Sequence, residues 1–379
     1  MMKTPSVLAV CLLVSACVSV PVPEQSPDTA GALSGDAILG EPFRPDQLPE
    51  DRPLSLPPEM RSYLASIAPD QRPQQRLAAL IRAFEKREFT VEYDAGSTLT
   101  ASETYDQQRG NCMAFTLMMV AMARTLGAEA YFNQVEVPPV WSLDDETETF
   151  VTYRHINMVS ESSRGRRVVD FDLAAYDPVY DQRKLSDTEA FSQYYSNRGM
   201  ELMQQGRPER AFLYLRRALQ LNPADSDLWS NLGALYSRFG HGREAEQSYL
   251  YALQLEGSHL LAISNLERLY RNDGRIELAD AYARKARYHR ERNPYYLYYR
   301  ARNAYERGEY GQARQQLRRA LWRYEDDHRF HFLMGLANYR LGEMEKSHES
   351  FLEAFSLAGN AATRNAYMRK LDYLKREVE

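Results

Sequence analysis

The chain has 379 residues, enough for two domains, and its net charge of −5 argues against a nucleic-acid-binding protein. No apolar run beyond the leader approaches the roughly 20 residues that cross a bilayer. There are three cysteines, Cys11, Cys17 and Cys112, and only the last lies in a segment that reads as folded.

Lys3 followed by the apolar stretch 7–14 predicts an export leader over residues 1–16, too short to span a membrane. Val14-Ser15-Ala16-Cys17 resembles a bacterial lipobox. That resemblance implies cleavage before Cys17 and acylation of its thiol, as in palmitate-carrying lipoproteins, and several acyl chains anchor stably where one does not. Val18, not Asp, follows the cysteine, which by the same resemblance implies a lipid anchor in the outer membrane of a Gram-negative cell, facing the periplasm. An unpaired thiol in an oxidising compartment is a liability unless it is buried or used, so Cys112 draws scrutiny.

Residues 17–57 carry Pro21, Pro23, Pro27, Pro45, Pro49, Pro53 and Pro57 among Ser, Asp and Glu. The composition predicts a disordered tether that as a flexible coil would span roughly 35 Å.

From 58 to 190 the pattern is mixed α and β. Helices are predicted over 58–67 and 73–89. Thr100-Ala-Ser-Glu103 is a capping-box pattern that opens a short helix. Asn111 reads as the N-cap of a helix from 112 to 126 that stops at Gly127. Strands are predicted over 128–137, 150–160 and 166–172, the last two joined by a turn at Gly165. Cys112 then lies in the first turn of a helix, where unpaired backbone N–H groups and the positive helix end favour a thiolate and a developing oxyanion. Strand alternation puts Val151, Tyr153, His155, Asn157 and Val159 on one face, and Val168, Asp170 and Asp172 on one face of the next strand. A hairpin brings His155 beside one of those carboxylates, the partner an imidazole base needs.

Gly110-Asn-Cys112, the ending at Gly127 and Val168-Val-Asp170, with cysteine, histidine and aspartate in that order, resemble the transglutaminase-like superfamily of papain-related folds over roughly residues 70–180. The resemblance implies Cys112 as nucleophile, His155 as general base and acid, and Asp170 as orienter, with Asp172 as the other possibility. It also implies an upstream oxyanion donor, for which Tyr105 and Gln108 are candidates. The reaction implied is acyl transfer through a thioester. A peptidase or amidase, cysteine-protease-like, is preferred to cross-linking, and no cofactor is needed. Metal binding has no support, since no two His or Cys stand at ligand spacing beside a carboxylate.

The third region is periodic. Gly206, Gly240, Gly274, Gly308 and Gly342 are each 34 residues apart, as are Ala218, Ala252, Ala286, Ala320 and Ala354. Ala211, Ala245, Ala279 and Ala313 keep the step, with Ser347 completing it. This resembles the tetratricopeptide repeat, a 34-residue helix–turn–helix. Five units fit 192–361, and 362–379 reads as a capping helix. The fold class is thus an α+β papain/transglutaminase-like domain followed by an all-α repeat solenoid.

By that resemblance the first helix of each unit lines a concave groove. The positions are Gln193, Met200 and Met203; Arg238; Arg268 and Arg271; Tyr295, Tyr298, Arg302 and Tyr305; and Arg329, Phe332, Tyr339 and Arg340. Arginine and aromatics anchor protein interfaces, and the groove is expected to take an extended, acidic or C-terminal peptide of a partner in the envelope. The competing reading is a catalytically inactive, lipid-anchored scaffold or adaptor acting through its repeats.

Overall fold

The computed structural model of the chain describes residues 28–86, 89–137, 140–144, 147–151, 154–163, 165–171, 180–359, 363–365 and 367–369. The leader, Cys17, Tyr153, Asp172 and most of the expected capping helix lie outside these residues.

The first described segment differs from the expected tether. Helices α1 (Ala30–Ser34) and α2 (Asp36–Leu39) and a 3-10 turn at Pro45–Gln47 form a strap along the second helices of the first two repeats. Ala32 is fully buried and Leu56 nearly so. Tyr236, 204 positions later, donates to the Ala32 carbonyl at 2.8 Å. Asp51 accepts from the hydroxyls of Tyr194 (2.9 Å) and Tyr214 (3.4 Å), while Tyr195 donates to its carbonyl at 3.1 Å. Segment-averaged composition hides this. The few apolar residues of 28–57 meet a ready-made groove, so burial does not require a core of their own.

The α+β unit follows. Helices α3 (Pro58–Ser66) and α4 (Pro73–Glu85) each start with proline, whose fixed φ suits a first turn. Strand β1 (Glu92–Tyr93) pairs in parallel with β2 (Arg109–Gly110). Between them the capping box at Thr100 and Glu103 forms as expected and opens α5 (Ala101–Gln107). Helix α6 (Cys112–Thr125) is the core of this unit: Met113 to Ala123 are all buried. A helix apolar all round needs cover on every side. It receives it from α3, α5 and the sheet.

The sheet begins with β3 (Tyr131–Glu136). A separate ribbon, β4 (Val140–Asp144) with β5 (Thr147–Val151), precedes β6 (Arg154–Ser162), β7 (Gly165–Val169) and β8 (Gln182–Leu185). The main sheet is antiparallel in the order β7-β6-β3-β8. The single strand expected over 150–160 is thus the end of one ribbon strand and the body of another.

Ten helices make the solenoid: α7 (Asp187–Gln204), α8 (Pro208–Leu221), α9 (Ser226–Arg238), α10 (Gly242–Leu255), α11 (Leu260–Asn272), α12 (Ile276–Arg290), α13 (Pro294–Glu306), α14 (Tyr310–Leu321), α15 (His328–Arg340) and α16 (Met344–Leu357). They pair as five antiparallel hairpins, the strongest contacts being within each pair. The repeated glycines sit at the turn with φ between 71° and 85°, a conformation side chains resist. Gly233 serves closeness instead: a Cβ there would lie 2.7 Å from the Tyr249 ring. Ser347 replaces the periodic alanine and donates to the Gly335 carbonyl at 2.8 Å. No described helix is long and apolar enough to cross a membrane.

Helix α7 is tied to the α+β unit at two points. Arg124, in the last turn of α6, makes a bidentate pair with Asp187 at 2.6 and 2.8 Å. At the other end Glu201 accepts from the Thr98 N–H at 2.7 Å. The repeats therefore continue the core of the α+β unit instead of hanging from it.

Candidate functional site

The thiol site is assembled by two local devices. Asn111 is extended, and its side-chain oxygen accepts from the Ala114 N–H at 3.0 Å, which starts α6 at Cys112. Gly110 allows the approach, because a Cβ there would come within 2.7 Å of the Ala114 methyl. Cys112 is half-buried and unpaired. Antiparallel pairing of β6 with β7 then brings His155 to Asp170 just beyond the strand end.

His155 Nε2 lies 2.7 Å from Asp170 Oδ2. That leaves Nδ1 as the nitrogen available to the thiol. The same carboxylate oxygen accepts from Asn157 Nδ2 at 2.9 Å. Asn157 is fully buried, and Asn133 donates to its carbonyl oxygen at 2.9 Å. Asp170 has no exposed side-chain surface and His155 is almost fully buried. Burial pulls the imidazole toward its neutral form, but hydrogen bonds with Asp170 and Cys112, with their charges, outweigh it and push its pKa up to about 10. The structure thus brings together Cys112, His155 and Asp170, while Asp172 lies outside the described residues. Asn157 was visible on the His155 face of its strand, but no spacing marked it as a second holder of the carboxylate.

The two oxyanion candidates are placed differently. Tyr105 stacks on Phe89, ring centres 5.3 Å apart. Gln108 is exposed, in the left-handed conformation that ends α5. Neither has a hydrogen bond to the thiol site among the described residues. The unpaired N–H groups of Cys112 and Met113 at the helix start are the donors nearest the sulfur in sequence.

A cavity of about 460 Å³ lies between α4, α6 and β7. Ile81, Phe84, Phe115, Met119 and Val169 floor it, Asp170 borders it, and Arg82, Glu85 and Arg167 stand at its edge.

The expected groove positions divide. Gln193 is buried and donates to Gln134 of β3 at 2.8 Å, so the sheet covers the first helix there. Met203 is buried too and Met200 half so. Arg329 is bound to the buried Asp327 (2.9 Å from Nε) and to the Tyr180 hydroxyl (3.0 Å), and its guanidinium faces the rings of Tyr295 and Tyr298. Tyr298 in turn stacks on Phe330 at 5.1 Å. Phe332 packs on Tyr367 (4.5 Å) and Phe351 (5.3 Å). Tyr305 and Tyr339 are half-buried. Arg238, Arg268, Arg271, Arg302 and Arg340 are exposed. Arg271 is paired with Glu267 and Arg302 with Glu306 on their own helices, and Arg340 faces the Tyr310 ring. Arg268 donates to Asn265 at 3.0 Å.

Two stretches of the chain, residues 202–250 and 298–362, match the family described as tetratricopeptide repeat. Among curated proteins the chain is similar to human protein O-mannosyl-transferase TMTC1, with 27% identity over 192 residues that span 49% of this chain and 20% of that protein. This chain therefore spans about a fifth of that relative. It is also similar to uncharacterized protein MJ0572 of Methanocaldococcus jannaschii, 31% identical over 65 residues, 17% of this chain and 76% of that one. Among solved structures, Pseudomonas aeruginosa PilF aligns with 17% identity over 50% of this chain and 94% of its own, at a TM-score of 0.27. With the 34-residue period and the five helical hairpins, the two family matches identify the C-terminal part of the chain as a tetratricopeptide-repeat solenoid.

Proposed function

We propose that this protein is an adaptor that holds a protein or peptide partner on its repeat solenoid. The observation that carries the reading is the row of exposed arginines on successive first helices, Arg238, Arg268, Arg271 and Arg302. Among the described residues, Arg238 and Arg268 have no carboxylate partner, so an incoming carboxylate has no internal rival at either. The expected ligand is an extended acidic segment. Binding of a fluorescent, Asp/Glu-rich peptide with a free carboxyl end tests it. Affinity should fall roughly tenfold in Arg238→Ala/Arg268→Ala, since exposed charge pairs are worth up to about 1 kcal/mol each. Equal binding by the variant removes this face from the proposal.

A second reading is favoured by one specific observation, the His155–Asp170 bond of 2.7 Å with Cys112 on the other side of the imidazole. In it the α+β unit is transglutaminase-like and performs acyl transfer. Cys112 Sγ attacks an amide carbonyl carbon, and His155 protonates the leaving amine as the C–N bond breaks. Water or a second amine then adds to the thioester, giving its proton to His155 as the C–S bond breaks. Asp170 fixes the ring and offsets its charge. Hydrolysis is the outcome we favour. The test is the rate of Cys112 alkylation against pH in Cys11→Ser/Cys17→Ser protein. Fast labelling well below pH 8 that slows in His155→Ala supports the pair, whereas slow labelling indifferent to His155 leaves the adaptor reading alone.

The lipobox-like sequence at Cys17 places the protein on a membrane in this proposal, facing the periplasm. The solenoid and the thiol would then act on envelope proteins.

A further inference from the structure

Glu201 is a carboxylate with little exposed surface, on the last turns of α7. Burial raises its pKa against the hydrogen bond from Thr98 and the charge of Arg198. Isolated buried carboxylates are costly, so its surroundings are informative. Glu201 accepts the Thr98 N–H at 2.7 Å, and Arg198 stands 3.6 Å away. The Thr98 hydroxyl accepts from Asn111 Nδ2 at 2.7 Å. Asn111 also donates its own N–H to the Ser97 carbonyl at 3.0 Å. Its side-chain oxygen then caps α6 at Ala114. Thr98 and Asn111 are 13 residues apart and Glu201 another 90 beyond Asn111, yet one continuous line of hydrogen bonds joins them.

We infer that Glu201, acting through Thr98 and Asn111, is a positioning residue that sets the first turn of α6 and with it the Cys112 thiol. The inference rests on the acyl-transfer reading of the site. Two features make the relay more than the satisfaction of a stray N–H. Asn111 is held to the 94–100 loop twice, by its own N–H on the Ser97 carbonyl and by its Nδ2 on the Thr98 hydroxyl, so a shift of that loop pulls on the N-cap. And Arg124–Asp187 pins the far end of α6 to the same helix α7, so a displacement cannot be absorbed by sliding α6 as a whole. The first repeat is thereby part of the thiol site's scaffold, and the spacing of thiol to imidazole depends on a residue of the solenoid.

The test uses the full chain carrying Cys11→Ser and Cys17→Ser, so that Cys112 is the only thiol. Alkylation rates are measured from pH 5 to 10 for wild type, Glu201→Ala, Glu201→Gln and Thr98→Val. Loss of one net hydrogen bond from the relay should slow labelling at pH 7 roughly three- to tenfold and move the profile to higher pH in Glu201→Ala. Glu201→Gln keeps an acceptor oxygen and should recover most of the rate. Thr98→Val should act like Glu201→Ala, and the two together no more strongly than either alone. A Glu201→Ala profile that overlays wild type, with His155→Ala shifted, overturns the inference. Should labelling ignore His155 altogether, the acyl-transfer reading fails on that ground alone. Hydrogen exchange at Ala114 then decides the relay: exchange faster by roughly tenfold in Glu201→Ala supports positioning, and unchanged protection refutes it. Should Glu201→Ala not fold, Thr98→Val carries both measurements.

Discussion

Tyr180, just before the last strand of the N-terminal sheet, accepts a 3.0 Å hydrogen bond from Arg329, 149 positions later in the fifth repeat. The guanidinium lies over the same phenol ring at 5.1 Å. The segment leading into that strand thus meets the solenoid at its fifth repeat. A partner bound along the first helices must share the fifth of them with the protein's own N-terminal unit.

That contact predicts an asymmetric pair of variants. Arg329→Ala leaves Asp327, whose side chain is fully buried, without its cation. The expected loss is about 3 kcal/mol, read as a lower urea midpoint. Tyr180→Phe removes the hydroxyl that accepts from Arg329 and keeps the ring, so about 1 kcal/mol is expected. Equal effects would mean the hydroxyl, not the ion pair, fixes the arginine.

His155 gives a pH dependence with a defined sign. Its pKa is held near 10 against an ordinary 6.5, so the folded chain keeps a proton that the unfolded chain has released. The resulting stability is complete below about pH 6.5 and is lost as pH rises through 10. Wild type should therefore lose more stability between pH 6 and pH 9.5 than His155→Gln does. Parallel urea curves for the two proteins across that range would show that the imidazole is not held as its protonated form.

Close packing between paired helices gives a third prediction. Gly233→Ala places a methyl 2.7 Å from the buried Tyr249 ring, and overpacking of this kind costs about 1–3 kcal/mol. Gly242→Ala, with only a 3.9 Å neighbour, is the control at a helix start and should change the midpoint little. A tolerated Gly233→Ala would show that repeat two can open without loss.

Membrane attachment is the fourth. Cys17→Ser should abolish incorporation of labelled palmitate in a bacterial host and move the protein from the membrane to the soluble fraction. Palmitate incorporation that survives the change would place the anchor elsewhere.

The repeats were legible because their determinants are local. A turn glycine with φ near 75° and a small residue where two helices touch recur with each hairpin. The ordered trio of Cys112, His155 and Asp170 was legible because each lies at a place its own segment defines: a helix start, a strand face, a strand end. Residues 28–57 were not. Their order depends on Tyr236, Tyr194 and Phe212, none of which is near in sequence. Nor could sequence tell that Arg329 and Gln193, which share the helix face of Arg268, are covered by Tyr180 and Gln134 of the chain's own N-terminal part.

By itself the sequence determined the five-hairpin solenoid, the helix that begins at Cys112 and the pairing of a strand histidine with a following carboxylate. All of these follow from periodicity, capping and alternation over a few residues. Tertiary structure alone decided which parts of the repeat face stay open, that Asn157 shares Asp170 with His155, and that Glu201 reaches the cap of the thiol helix. Those outcomes are set by contacts between segments up to 149 positions apart, where complementary burial and hydrogen bonding, not local propensity, choose the partner.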